Sequence, residues 1–476
     1  MGSTFGGINT AYTGLVAQRR ALEVTGQNVA NANTPGYSRQ RVTMQSQGAG
    51  VQPAVYSRYE GAGDGVAVTG VERITDGFQV ARQQVEHGNY SAADTHAATL
   101  KDIEGTFAEP SENGIQESMQ DLYNAFAAVG ESADPSASGP RATLLQAAQG
   151  VTDKLHDAST NLDQQWSTMR TTLDNSVAEI NTTTQTIADL NLAIKRNTQA
   201  GVPANELADR RDQLVLKLSD SIGAVGRPGE DGVVDVLVGG SPLVSGVSAS
   251  ALSVKGNTNP NQLPPDPPRV TWGMDGTSLS VTTGTVGGLL TGMNKTIPSY
   301  KSSLDSVAAS LASTVNAIHR TGYDTDPTGD PATGGEGRDF FGPADGTTTT
   351  PVTAANITVR ITDPAKIAAS ATPGGNKDGS VMSLIANASD AADGPMASYK
   401  SLIGNLGVES QTAQTRLTTR KDVATKADEA VGSTSGVDTD EELTNLLGFQ
   451  RAYESAAKIL STLDSSIETI INMVRG

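Results

Sequence analysis

The stretch ELTNLLGFQRAYESAAKILSTLDSSIETIINMV, residues 442–474, carries two parallel rows of apolar side chains. Leu446, Tyr453, Leu460, Ile467 and Val474 recur every seventh position, and Phe449, Ala456, Leu463 and Ile470 follow three residues behind. A helix with so narrow a seam is shaped to lie against another helix, because it cannot bury the stripe alone. The same period appears at the other end of the chain, where Ile8, Leu15, Leu22 and Val29 repeat every seven residues with Tyr12 on that face. A spacing of seven implies a supercoiled partner. The economical reading packs the two chain ends together.

The N-terminal helix is stopped with unusual emphasis by NANTPGY, residues 31–37. Asn31, Asn33 and Thr34 are weak helix formers, and Pro35 and Gly36 are breakers. The chain then resumes at Tyr37 as YSRQRVTMQ, a β-prone run. This reads as an elbow that turns the chain from the terminal layer towards a small β element at 40–45 and 65–74.

Inside the two ends lies a second helical layer. Trp166, Leu173, Ile180, Ile187 and Ile194 again repeat every seven residues, with Leu162, Met169 and Leu190 beside them. A helix over 140–199 would be about 90 Å long at about 1.5 Å per residue. Gly201 closes it, and Pro203 suits the first turn of the next helix, PANELADRRDQLVLKLSD. Further helices are predicted over 78–107, 112–130, 298–320 and 395–432. The middle differs: twelve of the 21 prolines fall between Pro228 and Pro351. Short β-prone runs lie among them, VVDVLV (233–238), PLVSG (242–246), RVTW (269–272) and SLSV (278–281), separated by glycine-rich turns. GEDGVVDVLVGG reads as a hairpin turning at Asp231-Gly232.

The predicted fold is mainly α with an inserted antiparallel β domain, nested, multidomain and rod-like. Residues 1–36 with 438–476 form a terminal coiled-coil layer. Residues 37–222 with 355–437 form a helical body with a small β element, and 223–354 form a β-rich outer domain.

Composition narrows the function. With 37% hydrophobic but only 4% aromatic residues, core bulk must come from Leu, Ile, Val and Ala. The net charge of -18 argues against nucleic acid and against an anionic membrane surface. Cysteine is absent, which excludes disulfides, thiol catalysis and cysteine-ligated metals. No run approaches the length of a membrane span. MGSTFGG is neither a Sec signal peptide nor, with Gly6 where Ser or Thr is wanted, a myristoylation site.

No catalytic constellation is legible, so the chain reads as a non-enzyme without cofactor or metal. None of His87, His96, His156 and His319 belongs to a metal motif, and each reads as a helix-surface residue. The glycines of GAGDG (61–65) open no helix and read as a turn. DTDPTGD (324–330) has Asp324, Asp326 and Gly329 at positions 1, 3 and 6 of an EF-hand-like loop, but Gly335 stands where Glu is needed. The acidic run at 440–442 opens a helix and reads as macrodipole stabilisation.

GQNVANANTPGYSRQRV (26–42) resembles the N-terminal signature of flagellar axial proteins, the rod, hook and hook-associated proteins. Several segments resemble the flagellar hook-associated protein 1 family more narrowly. These are GAGDGVAVTGVERITDGF (61–78), EPSENGI (109–115), ANELADRRDQLVLKL (204–218), GVVDVLVGGSPLVSG (232–246), SVAASLASTVNAIHRTGYD (306–324), ITDPAKIAAS (361–370) and the terminal run 435–473. The resemblance covers nearly the whole chain in order. Two departures are the tail MVRG, which runs past the family's expected last apolar residues, and a short middle region with one β domain.

The resemblance implies a structural subunit of the bacterial flagellum, forming a ring at the junction between hook and filament. It implies export, unfolded, through the type III system to an extracellular position. The implied partners are other copies of itself, the hook protein, the second junction protein and an export chaperone on the C-terminal helix. The terminal helices would be mobile in the monomer and would order on assembly. Ile8, Tyr12, Leu15, Leu22, Val29, Leu446, Phe449, Tyr453, Leu460, Leu463, Ile467 and Ile470 would then carry assembly. A hook or distal rod protein is the nearest alternative. A flagellum-associated calcium-binding adhesin or peptidoglycan hydrolase, and a cytoplasmic coiled-coil scaffold, are alternatives of other classes.

Overall fold

The computed structural model describes residues 4–48, 63–262, 264–325, 338–347, 349–373 and 377–475. In chain order the elements begin with α1 (Thr4–Asn31), β1 (Gln40–Gln47), β2 (Gly65–Arg73), α2 (Gly77–Phe107), α3 (Ile115–Gly130), α4 (Ser138–Gln199) and α5 (Asn205–Ile222). Six strands follow: β3 (Val225–Pro228), β4 (Val234–Val238), β5 (Ser241–Ser245), β6 (Ser248–Ala249), β7 (Leu252–Lys255) and β8 (Arg269–Trp272). The rest comprises α6 (Gly284–Thr291), α7 (Ile297–His319), β9 (Phe341–Pro343), β10 (Ile357–Val359), α8 (Ser380–Asn387), α9 (Pro395–Ser435) and α10 (Thr439–Arg475). The chain is mainly helical with small antiparallel sheets, the fold class that the patterning indicates.

The chain gathers into two compact units. The first comprises Met1–Asn89, Ile180–Ala251 and Lys421–Gly476; the second comprises Tyr90–Glu179 and Leu252–Arg420. Residues 223–251, with the four-stranded sheet β3-β4-β5-β6, fall in the first. The rest of the 223–354 segment falls in the second, where it supplies β7, β8, β9 and the two helices α6 and α7.

In the first unit β1 and β2 pair antiparallel, Gln40 opposite Arg73, with a bulge at Thr43/Met44. The β3–β4 hairpin turns through Glu230–Gly232, where Asp231 and Gly232 both have positive φ, the geometry expected of an Asp-Gly turn. The sheet is tied to α4 by Asn191, which is fully buried. Its amide donates to the carbonyls of Val234 (2.8 Å) and Gly246 (2.7 Å), and its oxygen accepts from the Val234 amide (3.2 Å).

The second unit has a dense core of Leu100, Ile103, Met119, Leu144, Leu304 and Leu311, all without solvent exposure. Its few aromatics cluster: Phe340 packs on Phe126 (5.3 Å between ring centres) and on Phe341 (4.9 Å).

The long seam of α4 is buried at Trp166, Leu173, Ile180, Ile187 and Ile194. Two local expectations are corrected. SLSV forms no strand; Ser278 makes a single bridge to Thr271. Pro203 lies before α5 rather than in its first turn. The glycine-rich segment Gly284–Thr291, a poor helix by propensity, is the helix α6 and leads through a π-helical turn, Gly292–Thr296, into α7. Burial of Val286, Leu289 and Met293 outweighs that propensity.

Candidate functional site

Helix α10 packs along α1. Gly7 lies against Leu463, and the Asn28 amide donates to Glu442 Oε2 (3.0 Å). Residues whose numbers add to 470 therefore face one another, and the helices run antiparallel. The α10 row of Leu446, Phe449, Tyr453, Leu460, Leu463 and Ile467 is half-buried, whereas Ile470 is 49% exposed.

The α1 side departs from the heptad reading. Its buried residues are Ala11, Ala17, Ala21, Val24, Thr25 and Asn28. At about 100° per residue Ala17, Ala21, Val24 and Asn28 lie on the side of the helix opposite Ile8, Leu15 and Leu22. Small alanines admit the bulky α10 row at close range, with Ala21 opposite Phe449 and Ala17 opposite Tyr453 in this register. Ile8, Leu15, Leu22 and Val29 are left half-buried, and Tyr12 is 58% exposed. Further exposed apolar side chains are Val16 on α1 and Leu443, Leu447, Ile459, Ile471 and Met473 on α10. The register also carries α10 past the start of α1, so residues 467–475 extend beyond Thr4.

The elbow is built from local turns. Thr34 N–H donates to the Asn31 carbonyl and Tyr37 N–H to that of Thr34. Gly36 sits at φ 74°, a left-handed conformation that glycine adopts freely, and the Gln213 amide donates to the neighbouring Pro35 carbonyl. Asn33 is exposed. The Tyr37 hydroxyl reaches back to donate to Asn28 Oδ1 (2.9 Å). Burial, helped by Asp209 and Glu442, pushes that hydroxyl up to about 12.

Sequence reasoning missed the residues that join this elbow to α10. Glu442 is 2% exposed. Besides the Asn28 bond it accepts from Arg39 Nε (2.7 Å), and Arg39 also grips Glu441 (2.9 Å). Asn28 Nδ2 further donates to the Gln40 carbonyl and Asn28 Oδ1 accepts from the Gln40 amide. Arg39 N–H donates to the Ser435 carbonyl. The macrodipole reading of 440–442 is thus incomplete: Asp438 caps the helix by accepting from the Asp440 and Glu441 amides, and Glu442 is bound by the elbow. Only the burial of an acidic residue beside a leucine could have signalled this. On its other flank the elbow is held by α5 and β2, where Arg73 pairs with Asp209 (2.8 Å) and Asp212 (2.7 Å). A groove of about 630 Å³ runs between α1, β1 and the start of α10, lined by Val24, Thr25, Met44 and Phe449 among others.

The histidines are not the surface residues expected. His319 is fully buried, and its Nε2 accepts from the Ala368 amide. Burial lowers the His319 and His96 pKa values below the ordinary range. His87 is clamped between Asp220 (Nδ1, 2.9 Å) on α5 and Asp428 (Nε2, 2.9 Å) on α9, and hydrogen bonding to those carboxylates raises it to about 9. Among the described residues no group of three His, Asp or Glu side chains could hold a metal. Of the EF-hand-like loop, Asp324 pairs with Arg338 (3.2 Å); Asp326 to Asp330, and Gly335, lie outside the described residues. No described helix is long and apolar enough to cross a membrane.

The described site is a pair of packed chain-end helices, a structural feature that leaves apolar side chains exposed. Comparison with known families makes this specific. Residues 100–341 match the flagellar hook-associated protein FlgK helical domain, 431–473 the flagellar basal body rod FlgEFG protein C-terminal domain, and 8–37 the flagella basal body rod protein domain. The chain belongs to the flagellar hook-associated protein 1 (FlgK) family. It is 28% identical over 527 residues to flagellar hook-associated protein 1 of Bacillus subtilis, covering 99% of each chain. It is 26% identical over 567 residues to that of Escherichia coli, covering 98% of this chain and 99% of the other. The flagellar hook junction protein FlgK from Burkholderia pseudomallei has the same fold, with a TM-score of 0.63 at 16% identity, over 75% of this chain and 100% of that one.

Proposed function

We infer that the chain is the structural joint between flagellar hook and filament, and that its terminal helices carry its assembly. The observation that carries this reading is the α1–α10 pair, in which the α10 row is only half-buried against α1 and Tyr12, Val16, Ile459 and Ile470 are left exposed. Exposed apolar rows of this kind are covered in an assembly, and subunits in a ring supply the covering surface from identical copies. Residues 1–36 and 438–476 form the channel-proximal layer, with Ile8, Leu15, Leu22 and Ile470 meeting neighbouring subunits. Hook protein lies on one side and the second junction protein on the other. The subunit reaches this extracellular position through the flagellar export system, where a chaperone covers the apolar C-terminal helix. Its role is structural and not enzymatic.

Deleting the gene tests this. Hooks without filaments, with filament protein lost to the medium, are expected under electron microscopy; normal filaments would refute the role. A chain lacking 438–476 should remain soluble yet fail to add to hooks.

A further inference from the structure

The α10 rows repeat every seven residues, and that creates an ambiguity of register. Sliding α10 by seven along α1 replaces Tyr453 opposite Ala17 with Leu446 or Leu460, apolar for apolar. Hydrophobic contact alone discriminates such registers weakly, and a buried polar residue at one position is the usual way to fix one. The helix pair has such a point on each side: Asn28, 1% exposed, and Glu442, 2% exposed.

We propose that Glu442, Asn28 and Arg39 are a register lock, in which the N-terminal elbow motif reads the first turn of α10 and fixes where the assembly face lies. In the observed register Glu442 accepts from Asn28 Nδ2 (3.0 Å) and from Arg39 Nε (2.7 Å). Every polar atom of the Asn28 amide is used: Nδ2 also bonds the Gln40 carbonyl, and Oδ1 accepts from Gln40 N–H and the Tyr37 hydroxyl. A slide one way brings Glu442 opposite Ala21, where its carboxylate is buried without a partner. A slide the other way brings Phe449 opposite Asn28 and strips one of the two Nδ2 hydrogens of its acceptor, Glu442. Both alternatives strand a buried polar group, so one register survives. The lock also places the distal end of α10, because the same slide moves Ile470, Ile471 and Met473 by two helical turns. Glu441, exposed and bonded to Arg39 at the rim, plays no such part.

This residue assignment deepens the assembly reading, but its test does not depend on it. The chain contains no cysteine, so engineered pairs are unambiguous. Three double-cysteine chains, Gly7→Cys with Leu463→Cys, Ala456→Cys or Ile470→Cys, report the observed register and its two seven-residue alternatives. They are treated, as purified full-length protein, with a short bis-maleimide. In the otherwise unaltered background the pair with position 463 should crosslink in preference to the other two. Adding Glu442→Gln should reduce that preference by about tenfold, the loss expected for a charged hydrogen bond. Adding Glu441→Gln should leave it unchanged, and circular dichroism checks that every chain keeps its helix content. Equal yields from all three pairs in the parent background, or an unaltered preference with Glu442→Gln in a chain of parental helicity, overturns the lock irrespective of whether the protein joins hooks. Equal loss of preference with Glu441→Gln also overturns it, because rim charge would then suffice.

Discussion

Replacing His87 with glutamine should flatten the alkaline limb of the chain's stability profile. The imidazole bridges Asp220 and Asp428 at 2.9 Å each, and Gln83 donates to the same Asp428 oxygen (2.8 Å). These bonds favour the protonated ring, whose pKa rises from 6.5 to about 9. A group with a raised folded-state pKa stabilises fully below its unfolded value and loses that contribution as pH climbs through the folded one. The stabilisation is therefore complete below about pH 6.5 and gone above about pH 9. Taken at face value the shift is worth roughly 3 kcal/mol at about 1.4 kcal/mol per unit. Asp220 and Asp428 are 42% and 47% exposed, and solvent screening cuts the figure to about 1–2 kcal/mol. Urea unfolding followed by circular dichroism at about pH 6 and about pH 10 measures the difference for parent and variant. The parent should lose about 1–2 kcal/mol more than the His87→Gln variant between the two conditions. Identical pH dependence in the two chains would show that the clamp contributes nothing to folding.

Two other substitutions test the parts that shape the first unit. Asn191→Ala removes three hydrogen bonds to the β4–β5 region and leaves buried backbone groups unsatisfied, so about 2–3 kcal/mol should be lost in the same urea assay. Gly36→Ala forces a side chain into φ 74° and displaces the Gln213 amide from the Pro35 carbonyl; a loss of about 1–2 kcal/mol is expected, with helix content retained.

What the sequence makes legible is periodic. The seam of α4 is readable because Trp166, Leu173, Ile180, Ile187 and Ile194 are all buried, so the sequence spacing matches the burial. The α10 row is readable from the same spacing, although it is only half-buried from Leu446 to Ile467. The α1 seam was visible as a pattern but not as an orientation: Ala17 and Ala21, which carry little hydrophobic signal, lie on its packed side with Val24, and Ile8, Leu15, Leu22 and Val29 are left half-buried. Periodicity detects bulk, whereas close helix approach requires its absence. The elbow was visible from Pro35 and Gly36, since backbone-restricting residues act locally. Its partner was not: Arg39 and Glu442 stand 403 positions apart, and an acidic residue at a helix start has a sufficient local explanation in the dipole. The His87 clamp joins residues 133 and 341 positions away and leaves no mark on local sequence. Helix α6 was hidden because its glycines contradict propensity, while the space they free is used by neighbours: a Cβ on Gly288 would meet Thr95, and one on Gly292, at the start of the π-helical turn that follows, would meet Met169.

The terminal pair as the assembly surface is tested most directly by Ile470→Glu. Ile470 is 49% exposed and lies beyond the start of α1, so the folded chain should change in stability by no more than about 0.5 kcal/mol. The substitution places a carboxylate in the row that neighbouring subunits would cover. The variant is expressed in a strain lacking the native gene, and hooks and filaments are counted by electron microscopy alongside a urea titration of the purified protein. Stable, exported protein with bare hooks is the expected result. Full-length filaments on normal hooks would contradict it.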